Sequence, residues 1–315
     1  MIGLLGYAAF FLTIALSYAV MCLGLNLQWG FAGLFNVGVA GFVGVGAYAA
    51  ALITAAPVAG RVGGFGLPIV AGWAGAMVAS GLVAAVVGAI TLRLRADYLA
   101  ITTFGAATSL QLVALNAQGL TGGPFGIAFI PRPFGALAPH PLAFGLANLA
   151  LVAVVTAGAY WLIARLTHGP WGRVLRALRE DETAAVALGK PAARYRLQAF
   201  VIGCALMGLA GAMQAQFFGF IAPDNYLPTL TFQVWVMLIL GGAGNHRGAV
   251  AGAVVVWALW AFSGSLFAVL LPPGLEARGA ALRIVAIGVV LAVVLLLRPR
   301  GLIGERATVS RHLRA

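Results

Sequence analysis

Three stretches of this chain, Leu67–Leu92, Pro141–Ala164 and Leu197–Pro223, contain no charged residue. Nothing else in the sequence restricts the fold as strongly. A hydrocarbon layer of about 30 Å is crossed by roughly 20 apolar residues in a helix, and each run is long enough. None alternates apolar with polar residues in segments of about ten, as the strands of a membrane barrel do. Only helices and closed barrels satisfy their own backbone in lipid, so these runs are predicted as helices. The chain as a whole could not clothe a soluble domain. It is 62% hydrophobic and 8% charged, with a mean hydropathy of +1.02, whereas a soluble domain carries roughly 25% charged residues. Its 43 glycines suit close helix contacts inside a membrane. The expected fold is all-α: a polytopic integral membrane helix bundle with about eight or nine transmembrane segments, some broken or re-entrant, in a single domain over residues 1–315.

Spans are predicted at about 6–26, 33–56, 67–92, 97–117, 142–165, 196–221 and 280–297. The net charge of +12 raises nucleic acid as a partner, but the arginines gather in a few loops and read better as orientation signals. Arg93 and Arg95 mark one cytoplasmic loop. Arg165, Arg173, Arg176, Arg179, Lys190, Arg194 and Arg196 mark a second, and Arg298, Arg300, Arg306, Arg311 and Arg314 mark a cytoplasmic tail over 298–315. If 196–221 starts inside and 280–297 ends inside, an even number of crossings lies between them. Residues 226–264 are therefore read as a hairpin, about 226–240 and 249–264, with the glycine-rich turn at 241–248 on the cytoplasmic face. Counting back places the N-terminus outside, with about nine crossings in all. The start MIGLLGYAAF has no basic region before its apolar run, so the first helix is expected to serve as its own insertion signal. An internal echo, Gly30-Phe31-Ala32-Gly33 and Gly241-Gly242-Ala243-Gly244, fits either a duplicated broken helix or chance.

Chemistry-bearing residues are few. Cys22 and Cys204 lie inside apolar runs and read as buried thiols rather than a disulfide or metal site. The histidines at 140, 168, 246 and 312 are scattered in loops, and no H-E-x-x-H occurs, which counts against a membrane-embedded enzyme. No Asp, Glu or Lys lies deep in a span, which counts against a proton- or sodium-coupled carrier or channel. Polar residues in or near spans are candidates for a translocation path: Asn26, Gln28, Asn36, Thr102, Thr103, Gln111, Gln214 and Gln233. The alternative for each is an interhelical hydrogen bond that holds the bundle.

The longest polar stretch, His168–Gln198, looks structured. Pro170 suits a helix start, and Val174, Leu175 and Leu178 recur at helical spacing. Glu180, Asp181 and Glu182 interrupt the stripe, a short second helix over about 183–188 follows, and Gly189 with Pro191 stops it.

Several motifs along the chain carry a family resemblance. They are Gly24-Leu25-Asn26-Leu27 with Gly30-Phe31-Ala32-Gly33, Gly44-Val45-Gly46-Ala47-Tyr48, Asp97 to Gly105, and Thr121-Gly122-Gly123-Pro124 with Gly126-Ile127. The segment Gly172 to Ala185 with Ala187-Leu188-Gly189 follows, then Leu209-Ala210-Gly211, Gly241 to Gly244 and Arg298-Pro299-Arg300-Gly301-Leu302. In this order they resemble the M-type permeases of branched-chain amino acid ABC importers. Leu34-Phe35-Asn36 and His246-Arg247 depart from the pattern near possible substrate or gate positions.

The resemblance implies a subunit of a bacterial inner-membrane importer. It implies an H-type permease partner, two ABC ATPase subunits and an extracytoplasmic solute-binding protein, all working in a lipid bilayer. It also implies that loop 168–196 couples to the ATPase through Glu180, Asp181, Glu182, Ala184, Ala185 and Gly189, with small residues at the contact. The chain has no G-x-x-x-x-G-K-[ST] loop, so no cofactor is expected on it and ATP is expected on the partner subunits. Branched-chain or related hydrophobic amino acids are the implied solutes, with urea, amides or aromatic acids as the alternative.

Overall fold

The computed structural model describes residues 2–270 apart from 59 and 95, scattered positions between 285 and 296, and 301–305. The span expected at 280–297 and most of the tail at 298–315 lie outside the described residues. Eleven helices are described: α1 (Ile2–Asn26), prolonged by a π-helical turn (Leu27–Phe31), α2 (Val39–Thr54), α3 (Ile69–Thr91), α4 (Ala96–Asn116), α5 (Gln118–Thr121), α6 (Pro141–His168), α7 (Pro170–Glu180), α8 (Glu182–Ala187), α9 (Ala192–Phe218), α10 (Pro228–Gly241) and α11 (His246–Leu270). A two-residue antiparallel ribbon, β1 (Ile127–Ala128) with β2 (Phe220–Ile221), ties the loop after α5 to the end of α9.

Among the described residues six helices are long and apolar enough to cross a bilayer. The other two apolar helices are too short. With 16 and 14 residues, α2 and α10 reach only about 24 and 21 Å at 1.5 Å per residue. The span expected at 33–56 is thus helical only from Val39, and residues 33–38 run through the bundle without regular structure.

The centre is built from α1 and α9. α2 and α3 pack on α9, while α6 and α11 pack on α1. Lipid gives helices no hydrophobic reason to associate, so contact depends on close packing of small residues. A Cβ added to Gly24 would lie 2.5 Å from the Gly203 carbonyl oxygen. One on Gly46 would overlap the Gly208 backbone, and one on Gly208 would overlap Ser80. The Ser80 hydroxyl meanwhile donates to the Phe42 carbonyl at 2.9 Å, joining α3 to α2. The outer helices show the opposite pattern. On α3, Val78, Leu82, Val86 and Ile90 form an exposed row four residues apart, the side that lipid would cover.

Candidate functional site

The polar residues of the membrane interior gather where α1 gives way to α2. Asn36 lies level with Cys204, about three turns into α9 by helical rise. Water cannot satisfy backbone groups at that depth, and each one left bare costs several kcal/mol. Side chains do it instead. The Val37 N–H donates to Thr103 Oγ1 at 3.0 Å, the Gly38 N–H to Asn36 Oδ1 at 2.8 Å, and the Ala40 N–H to Thr231 Oγ1 at 2.9 Å. Trp235 Nε1 donates to the Asn36 carbonyl at 2.9 Å. Asn36 Nδ2 donates to Gln28 Oε1, and Gln28 Nε2 to the Phe200 carbonyl, both at 2.9 Å. Of the expected path residues, then, Gln28, Asn36 and Thr103 come together to hold a broken crossing.

The first turns of α2 and α10 meet beside this break. Pro228 opens α10, where its missing N–H costs nothing, and Thr231 sits against Ala40. Two helix N-termini, each with a partial positive charge, therefore converge at membrane depth. An apolar cavity of about 240 Å³ runs along α2, lined by Gly41, Gly44, Tyr48, Leu110, Gln111 and Tyr226 among others. Gly44 lets Tyr226 approach: a Cβ there would come within 3.1 Å of its ring. The buried Tyr48 hydroxyl borders the cavity without a hydrogen-bond partner among the described residues. Gln111 is thus a cavity residue. Thr102 bonds back to its own helix at Tyr98, and Gln233 accepts from Tyr18 at 3.3 Å. Gln214 lies half-buried on α9, away from the cavity lining.

At the end of the bundle next to α7 the two glycine tetrads touch. A Cβ on Gly30 would lie 2.5 Å from the Gly244 nitrogen. Asn26 Oδ1 accepts from the Gly244 N–H at 2.8 Å, leaving its Nδ2 to donate to His246 Nδ1 at 3.2 Å. His246 must then carry its proton on Nε2, which lies 2.7 Å from Thr167 Oγ1. Phe31 stacks on the imidazole with centroids 4.8 Å apart. Arg179, reaching up from α7, donates to the Gly30 carbonyl and pairs with Glu305 at 3.0 Å. Asn26 is therefore a clamp between the two turns. Composition gave no sign of His246 or Arg179; one read as stray loop polarity, the other as an orientation charge.

The polar loop after α6 folds into two helices, as its spacing predicted. Leu175 and Leu178 are buried under α7. Asp181 accepts from the Ala184 N–H at 3.0 Å and so caps α8. Glu182 pairs with Arg196 of its own chain at 2.9 Å, so its charge is already matched within the subunit. Glu180 is exposed, 3.8 Å from Arg179. Gly189, at φ +75°, makes the left-handed turn that ends the unit. One placement differs from expectation. Ala185 faces inward onto Leu178 and Ala192, because the cap sets the phase of a helix whose inner face must cover α7. The outward surface is Ala184, Val186, Ala187 and Leu188, with Leu188 79% exposed.

A multi-pass bundle with two helices that start at membrane depth, an apolar cavity along one of them and a structured helix pair outside the membrane has the build of a membrane permease. The chain belongs to the family described as branched-chain amino acid transport system / permease component, which it matches over residues 7–297. That family is one of transport proteins rather than enzymes. The chain is 33% identical over 275 residues to the high-affinity branched-chain amino acid transport system permease protein LivM of Escherichia coli (strain K12), covering 78% of this chain and 60% of the relative. It therefore spans about 60% of the length of that relative. A probable branched-chain amino acid transport permease protein LivM of Methanocaldococcus jannaschii is 26% identical over 93% of this chain and 92% of its own. The LivH permease protein of the Escherichia coli (strain K12) system is 25% identical over 78% and 80%. No solved structure matches.

Proposed function

We propose that this chain is the M-type permease subunit of an ATP-driven importer that passes branched-chain amino acids across a bacterial inner membrane. The family match over nearly the whole chain carries this reading. The apolar cavity along α2 supports it: an aliphatic side chain suits the walls. In this reading the N-terminus lies outside and the tail inside. An H-type permease completes the path, an extracytoplasmic binding protein delivers solute, and two ATPase subunits hydrolyse ATP.

The coupling element is α7–α8. Val186 and Leu188, flanked by Ala184 and Ala187, meet the ATPase. Arg179 carries the displacement to Gly30 and to the tail at Glu305, and so to both glycine turns. Transport of this kind needs an element with two arrangements, and the touching tetrads are that element. The test is uptake of labelled leucine into proteoliposomes holding the four-subunit assembly, with binding protein outside and ATP inside. ATP-dependent leucine uptake is expected. Uptake of urea or an aromatic acid but not leucine would move the solute, and uptake by this chain without an ATPase would overturn the reading.

A further inference from the structure

One basic cavity lies apart from the apolar cavity and from the outward face of α8. It holds about 610 Å³ at the cytoplasmic end, between the end of α6, the start of α7 and the start of α11. Arg173, Arg176 and Arg247 line it together with His168, and Phe31 and Tyr160 form its inner wall. Arg176 lies over the Phe31 ring, 5.8 Å from its centre. Among the described residues none of the three arginines has a carboxylate within 4.0 Å. Glu305 also lines the cavity, but its carboxylate is engaged by Arg179. Three cations thus face one space with no anion among the described residues assigned to them.

Depth identifies the anion. Tyr160 lies eight residues before His168 on α6, about 12 Å further into the bilayer at 1.5 Å per residue. On the same turn range Trp161 is 60% exposed, with the Arg165 guanidinium 5.5 Å from its ring, an arrangement typical of the headgroup level. The cavity is therefore basic at the headgroup plane and aromatic towards the hydrocarbon. A docked soluble subunit would not reach Tyr160, and a free phosphate would leave the apolar wall uncovered. We propose that this cavity holds the phosphate of an anionic phospholipid of the cytoplasmic leaflet, with its acyl chains along the groove where α6 and α11 pack on α1. Because the headgroup would touch the start of α7 and the start of α11, it would brace the base of the coupling unit against the glycine turns.

The test is native mass spectrometry of the purified full chain with dioleoylphosphatidylglycerol or dioleoylphosphatidylcholine at equal amounts. Selective retention of the anionic lipid is expected. A basic side chain near the surface contributes about 1 kcal/mol, or about fivefold, so replacing Arg173, Arg176 and Arg247 together by Gln should weaken retention by the order of a hundredfold. Arg93→Gln, on the α3–α4 loop, should leave it unchanged. If the triple variant does not fold, Arg247→Gln alone should weaken it about fivefold. Equal retention of the two lipids, or wild-type retention by whichever of these variants folds, would overturn the proposal. Release of the lipid by millimolar inorganic phosphate, or by the ATPase subunits, would overturn it too, in favour of a free anion or a protein interface.

Discussion

The chain breaks its helices in two places, and the two breaks are held differently. Between α1 and α2 it runs through the membrane interior from residue 33 to 38 without regular structure. There Asn36, Gln28, Thr103, Thr231 and Trp235 each supply a hydrogen bond to backbone or to one another. Between α7 and α8 it turns outside the membrane-spanning helices, and one carboxylate, Asp181, caps the new helix. The sequence change is similar in kind at both, a few polar residues between apolar stretches. The solvent makes the difference. In water an uncapped N–H finds a partner at little cost, whereas in hydrocarbon it finds none. A polar side chain at the first break is therefore structural in a way that one at the second is not.

The largest effect should come from Asn36→Leu. It strips partners from the Gly38 N–H and from Gln28 at a depth where each costs several kcal/mol. Little monodisperse subunit should be recovered by size-exclusion chromatography, and normal recovery would break the contrast drawn here. Arg179→Ala comes next, since it touches both regions. Insertion and yield should hold while ATP-driven uptake falls about tenfold or more, within the range of ordinary coupling energies. Unchanged uptake would mean that α7 does not act through Gly30.

Tyr48→Phe tests whether the cavity belongs to the path. Removing an unpartnered hydroxyl should leave the melting temperature unchanged or slightly higher. If the hydroxyl meets solute, the apparent KM should rise about fivefold, the value of one hydrogen bond. Asp181→Ala should cost about 1 kcal/mol locally at α8, with uptake lowered about threefold and restored by Asp181→Ser. Glu182→Gln should be the mildest. An exposed ion pair contributes at most about 1 kcal/mol, so uptake should stay within about twofold of wild type; a large loss would mean that Glu182 also meets a partner.

Much of this was legible from the residues. The long spans were, because apolar length is a direct consequence of bilayer thickness. The two-helix unit after α6 was, because Pro170, the apolar spacing and Gly189 are local signals. The two segments read at 226–240 and 249–264 appear as α10 and α11, although α10, at 14 residues, is too short to cross. The start of α2 was missed by six residues. Nothing in Gly33–Gly38 forbids helix locally, and its path depends on partners as distant in sequence as Thr231 and Trp235. Ala185 was placed on the wrong side of α8, since a helix of six residues gives too little pattern to fix its phase.

By itself, then, the sequence determined the solvent, the helices and the family, because hydropathy and motif order are written along the chain. Tertiary structure alone decided what the polar residues are for. Asn26 became a clamp on Gly244 and His246, Gln28 and Asn36 became braces of a broken crossing, and Gln111 came to border a cavity. A polar side chain in a membrane must find a partner, but which one it finds depends on helices far away in sequence. That choice is made only when the bundle closes.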